Sequence, residues 1–157
     1  MTEENRKYLR GGYQQPFLAT DMIIEYYDGV KEGIVLITRK NKPLGLALPG
    51  GFAEYGLTLE QNAQKEAREE TGLEIKIKNP ENPLCVRSDP HRDPRAHVIS
   101  VAYVADGKGM FRAGDDAKTA ALYSRNEVIG LLGKNKFAFP DHEDIIVKYL
   151  QNRGAGK

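Results

Sequence analysis

Residues 48–73 read LPGGFAEYGLTLEQNAQKEAREETGL, and the way this stretch divides decides the fold. Thr58, followed three residues later by Gln61, fits a capping box, so a helix is expected to start there. Gly72 is placed to end it, because a residue without a Cβ takes the left-handed turn that closes a helix. Between them Leu59, Ala63 and Ala67 recur every fourth position and mark the inward face, with alanines small enough for close approach to a sheet. Ahead of the helix, Pro49-Gly50-Gly51 ends a short strand over residues 44–48.

The rest of the helix surface is acidic. Glu66 and Glu70 lie one turn apart and Glu69 three residues from Glu66, so the three carboxylates are expected to project from one side. Like charges at this spacing repel, and only Lys65 and Arg68 stand nearby to offset them. A hard divalent cation, Mg²⁺ or Mn²⁺, offsets them better, since both prefer carboxylate oxygens, especially where substrate phosphates complete the shell. EAREE alone reads as a solvated helix face, as most charge runs do. The ordered set around it (strand end, paired glycines, turn, cap, Glu-Glu-Thr-Gly-Leu) points instead to a metal site.

Working outward, residues 18–27 (LATDMIIEYY) and 33–39 (GIVLITR) are rich in β-branched and aromatic residues and flank a turn at Asp28-Gly29, the pattern of a hairpin. Residues 97–105 (HVISVAYVA) form a near-continuous apolar strand, expected to be buried on both faces. Two more helices are expected: residues 125–132, capped by Ser124, and residues 141–152, where Ile145, Ile146, Tyr149 and Leu150 make one stripe. Strands and helices mixed in this way imply an α/β fold, a mixed sheet flanked by helices on both faces. No repeat or linker divides the chain, so residues 1–157 are read as one domain, with 1–12 a flexible or strand-swapping arm and 153–157 a flexible tail.

The charge balance, 23 basic against 22 acidic residues, argues against nucleic acid as partner, which usually demands a basic surplus. No apolar run approaches ~20 residues, so no membrane span is expected. The first ten residues lack the apolar stretch of a signal peptide. The lone Cys85, between Leu84 and Val86 in a strand, reads as a buried structural thiol rather than a nucleophile. These features suggest a reducing, cytoplasmic setting.

Residues 51–73 resemble the Nudix box, the loop-helix-loop signature of the Nudix hydrolases, G-x5-E-x7-R-E-U-x-E-E-x-G-U with U an apolar residue. Gly51, Glu66, Glu69, Glu70, Gly72 and Leu73 match it, and Ala67 takes the apolar place between the glutamates. Two positions depart: Leu57 stands for the first glutamate and Lys65 for the arginine that braces the loop on the helix. Lysine cannot grip a carboxylate as a fork, and Leu57 is expected to replace the pair by packing. The resemblance implies a Nudix-like α/β/α sandwich and metal held by Glu66, Glu69, Glu70 and a backbone carbonyl near Gly50. It further implies in-line attack by an activated water on a diphosphate. The base would be a box glutamate, Glu69 first, or a downstream acid such as Asp115 or Asp116. Thr119 stands where many members carry a further glutamate.

Residues 88–97 (SDPHRDPRAH) form a loop constrained by two X-Pro steps. Arg92 and Arg95 suit phosphate recognition, because guanidinium presents a planar fork to oxyanions. His91 and His97 read more simply as loop residues. The loop resembles the S-D-P-x-R-D-P-R-G-H segment of small ADP-ribose pyrophosphatases, and Phe139-Pro140-Asp141-His142 is similar to their F-D-H segment. A proline near the position of Pro90 is associated in those proteins with ADP-ribose. The resemblance therefore implies hydrolysis of ADP-ribose to AMP and ribose 5-phosphate, with Gly51, Arg92, Arg95 and Asp116 on the substrate. Two alternatives stand beside it: a house-cleaning nucleoside triphosphate pyrophosphohydrolase and a non-catalytic ligand-sensing Nudix domain. Tyr13, Phe17, Phe52 and Tyr55 could stack on adenine or simply pack, and none is assigned. Relatives of this kind often dimerise, but no segment identifies an interface.

Overall fold

The computed structural model describes residues 9–10, 13–111 and 119–155. Most of the expected arm, and Asp115 and Asp116 with it, lies outside them. Among the described residues, ten strands and three helices follow in chain order: β1 (Leu9–Arg10), β2 (Tyr13–Gln14), β3 (Phe17–Tyr27), β4 (Glu32–Arg39), β5 (Gly45–Ala47), β6 (Gly50–Phe52), α1 (Leu59–Thr71), β7 (Glu74–Ile77), β8 (Cys85–Arg87), β9 (Val98–Lys108), β10 (Thr119–Tyr123), α2 (Arg125–Leu131) and α3 (Asp141–Ala155). The small β1–β2 pair stands apart from a mixed sheet of eight strands.

The sheet runs β10-β4-β3-β9-β7, with β5 on β4, β6 on β3 and β8 on β9. Among the described strands only β3 and β9 pair in parallel, in register from Phe17↔Val98 to Glu25↔Asp106. Strand side chains alternate faces, and the apolar sets of the central strands divide accordingly. Met22, Ile24, Val35, Val101, Tyr103 and Ala105 pack with Ala63, Ala67 and Leu73 on the α1 side. Ile23, Ile34, Leu36 and Ala102 pack with Val128, Ile145, Ile146 and Tyr149 on the α2–α3 side. The α/β/α sandwich follows from those two faces.

Both ends of α1 form as the sequence predicts: Thr58 and Gln61 close a reciprocal capping box, and Gly72 takes φ 78°. Ser124 caps α2 in the same way with Glu127. The stretch at residues 50–52 differs from expectation. It forms a further strand, β6, antiparallel to β3 through Asp21↔Gly50 and Thr20↔Gly51. Helix α3 also runs past Asn152 to Ala155, into the segment expected as tail. Arg153 is held there by Glu25, which also takes Tyr149 and Lys78. Cys85 is half-buried against the second core, where burial pushes its thiol up, away from nucleophile chemistry. Among the described residues no helix is long and apolar enough to cross a membrane.

Candidate active site

A cleft of ≈ 410 Å³ opens where α1, the β5–β6 loop, the end of β4 and the Asp89–His97 loop meet, a size suited to a small organic ligand. Its acidic wall is local in origin. Gly50 and Asp21 form a pair whose backbone groups do not face each other, since ladder bonds are made at the neighbouring Met22 N–H to Pro49 C=O. Gly50 therefore turns its N–H and C=O away from β3, and the N–H donates to Glu70 Oε2 at 3.0 Å. A Cβ on Gly50 would meet the Thr20 carbonyl at 2.2 Å and Asp21 Oδ1 at 2.5 Å; one on Gly51 would meet the Glu66 carboxylate at 2.6 Å. Gly50 needs glycine because the β3 backbone fills the space; at Gly51 a side chain would displace the Glu66 carboxylate.

The three box glutamates do not all line the cleft. At about 100° per residue, Glu66 and Glu70 are some 40° apart on the helix, whereas Glu69 falls about 60° to the far side of Glu66. The cleft is accordingly lined by Glu66 and Glu70, while the exposed Glu69 pairs with Lys65 at 3.0 Å. No three acidic, histidine or cysteine side chains close into a metal cage among the described residues.

The loop ahead of α1 is braced, though not as expected. Leu57 is 38% exposed and belongs to none of the buried apolar clusters. Lys65 instead reaches Glu54 at 3.2 Å. The fully buried Asn62 accepts from the Glu54 N–H and donates to Thr20 Oγ1, tying the loop to β3.

The opposite wall is cationic and aromatic. Arg92, expected as a phosphate ligand, is buried in a two-pronged pair with Asp141 at 2.5 and 3.2 Å, so its fork is already occupied. Arg95 is paired with Asp93 at 2.7 Å and lies over Phe52, 4.9 Å from the ring centroid. Phe139 carries Arg39 at 5.1 Å and Arg95 at 5.4 Å. Burial, followed by the charge of Arg95, lowers the pKa of Arg39, with Glu70, Asp93 and Asp21 acting in the other direction. Tyr13 and Tyr55, two of the aromatics left unassigned, are highly exposed; Phe52 lines the cleft, and Phe17 packs on it at 5.4 Å.

Asp21 lies at the floor, buried, with Ser100 Oγ donating to it, His142 Nε2 at 3.5 Å and Arg92 at 3.9 Å. Burial pushes its carboxyl up, but His142, Ser100 and Arg92 together outweigh that and hold it below its usual range. His142 Nδ1 accepts from the Leu48 N–H at 3.1 Å, and so fixes the strand that leads into Gly50. Sequence reasoning missed Asp21, Arg39 and the role of His142. A signal existed for Asp21 alone, a charge inside the apolar run LATDMII. His97 contacts the Ser88 carbonyl, and His91 donates its N–H to Asp89, both within their own loop.

Comparison with known proteins then gives a family. The model of the NUDIX domain matches residues 17–147. An ADP-ribose pyrophosphatase of Methanocaldococcus jannaschii is 44% identical over 142 residues, covering 88% of this chain and 76% of that protein. The crystal structure of a MutT/nudix family protein from Enterococcus faecalis superposes with a TM-score of 0.73 at 31% identity, over 97% of this chain and 67% of the other. A bifunctional NMN adenylyltransferase/ADP ribose pyrophosphatase from Francisella tularensis, complexed with AMP and a Mn ion, gives 0.71 at 25% identity over 96% of this chain and 45% of that one.

Proposed function

The chain belongs to the NUDIX family of hydrolases, and from that premise we propose that it cleaves the diphosphate of ADP-ribose, releasing AMP and ribose 5-phosphate. One observation carries the reading: Glu66 and Glu70 line a ligand-sized cleft beside a double glycine, whose second member leaves room for the Glu66 carboxylate. The archaeal relative, an ADP-ribose pyrophosphatase by name, supports the choice of substrate.

The donors fit Mg²⁺ or Mn²⁺. Mg²⁺ is commonly held by one or two carboxylates, with waters and substrate phosphates filling the rest, and two carboxylates beside an outward-turned Gly50 carbonyl are what the cleft provides. Glu66, Glu70 and Gly50 would hold the ion. When bound, it neutralises phosphate charge and lowers the pKa of a coordinated water.

The chain's own groups do the rest. Gly51 leaves the space that a side chain would close. Glu70 and His142 hold the backbone of Gly50 and Leu48 rigidly, so the donor set is pre-arranged and not assembled by the substrate. Glu69 was the first expectation for the base. Glu69 pairs with Lys65 and does not line the cleft; the role of base passes in this reading to Glu66, through the carboxylate oxygen that does not hold the ion. Arg95 forms a substrate-side wall, whereas Arg92 keeps that wall in place. The brace from Asn62 and the Glu54–Lys65 pair speaks against a non-catalytic sensor, because the loop is held without the usual glutamate and arginine.

The test is to incubate the protein with ADP-ribose and Mg²⁺ and quantify AMP, alongside a nucleoside triphosphate panel and an EDTA control. AMP from ADP-ribose at a kcat/KM above every triphosphate, abolished by EDTA, is the expected result. Faster turnover of a triphosphate, or none of ADP-ribose, would sink the assignment.

A further inference from the structure

Three guanidinium groups converge on the single ring of Phe139, at 5.1 Å for Arg39, 5.9 Å for Arg92 and 5.4 Å for Arg95. Like charges so gathered repel unless each is compensated. Arg92 has Asp141 and Arg95 has Asp93. Arg39 is the exception: its Nε–H donates to the neutral Pro43 carbonyl at 2.8 Å, and among the described residues it makes no ion pair. It is half-buried and lines the same cleft as Glu66 and Glu70. It is also close enough for Glu70 and Asp93 to act on its charge.

A guanidinium always stays charged and offers five N–H donors. With Nε on Pro43, the Nη side of the fork has no described carboxylate. Withdrawing such a cation from water beside a second cation is unfavourable until an anion arrives. From the convergence of the three arginines and the missing acid at one of them, we propose that Arg39 binds the diphosphate of the substrate on the wall opposite the carboxylates. It is a specificity-determining residue that sets affinity for the anionic part of the ligand. This replaces the sequence-based choice of Arg92, whose fork is filled by Asp141. It rests on the reading above in one respect, that the substrate carries a diphosphate. Arg39 is suited to that group because a planar fork meets two oxyanion atoms at once, whereas Arg95, already stacked and paired, offers a flat wall.

Two variants separate charge from shape. Arg39→Gln keeps a donor for the Pro43 carbonyl and loses the cation; Arg39→Lys keeps the cation. Binding of inorganic pyrophosphate, measured by calorimetry in EDTA, isolates the anion contact from metal. Wild type is expected to bind, Arg39→Gln to bind at least about tenfold more weakly, as loss of a charged hydrogen-bond partner requires, and Arg39→Lys to fall between. With Mg²⁺ and ADP-ribose, KM should rise by about tenfold in Arg39→Gln while kcat changes by less than about threefold. Failure of wild type to bind pyrophosphate, wild-type affinity in Arg39→Gln, or equal losses in both variants would each overturn the proposal. A wild type that binds pyrophosphate through Arg39 yet leaves ADP-ribose uncleaved would refute the substrate assignment and leave the role of Arg39 standing.

Discussion

The acidic wall of the cleft comes from one continuous stretch, Gly50 to Glu70, whose glycines and glutamates are placed by a single strand and a single helix. The cationic wall is assembled from β3, the end of β4, the Asp89–His97 loop, the residues leading into α3 and its first turn, which supply Asp21, Arg39, Arg92, Arg95, Phe139 and His142. The first wall is set by helical period and capping, and so is local. The second is set by ion pairs and ring contacts between segments far apart in the chain. The comparison teaches that residues of one type in one motif can have opposite tasks. Arg92 and Arg95 are three positions apart, yet one is buried structure and the other surfaces on the cleft.

That contrast can be broken at several points. Arg92→Met should cost about 3–5 kcal/mol in urea unfolding, because it leaves Asp141 buried without its two-pronged partner; Arg95→Met, which takes a 40% exposed arginine from the buried Asp93, should cost less, about 1–3 kcal/mol. Equal losses would show that the two arginines do the same work. Glu70→Gln should lower kcat by about 10²–10³-fold, the usual range for removing one preorganised charged group, with the fold retained in circular dichroism. Activity near wild type would remove Glu70 from the metal set.

The floor responds to acid. Asp21 titrates below its ordinary value when folded, so the stability it contributes is fully present above the unfolded value near pH 4 and is lost as pH falls through the folded value. Urea midpoints should therefore decline below about pH 4, and Asp21→Asn should flatten part of that decline, with Glu25 and Asp93, which shift the same way, leaving a residual slope. A variant as steep as wild type would place the acid response elsewhere. The smallest effect belongs to Lys65→Met, under about 1 kcal/mol for a solvent-screened pair, with KM for ADP-ribose little changed, since Asn62 still holds the loop.

Legibility followed the same division. Helix α1 was readable to its caps because Thr58, Gln61 and Gly72 act within a few residues of one another. The double glycine looked like the end of a strand, since glycine is a poor strand former. It forms β6 because pairing with β3 overrides that preference, and because Asp21 and Glu66 occupy the space a side chain would need. The glutamates were read as one face, and the helical angle that separates Glu69 from the cleft became visible only once the sheet fixed which way α1 is rolled. Arg39 sits at the end of GIVLITR with no motif around it. Its significance depends on Asp93 and Asp141 having chosen other arginines, a fact of tertiary structure alone.

The bond from the Leu48 N–H to His142 joins residues 94 positions apart, and Asp141 reaches back 49 positions to Arg92. A chain emerging from the ribosome presents its N-terminal part first, so the sheet and α1 can begin to pack while both partners are still missing. The strand entering Gly50 gains its last anchor only when the opening residues of α3 emerge. A chain cut before those residues would thus carry the whole glutamate motif yet lack the bonds that fix its cleft.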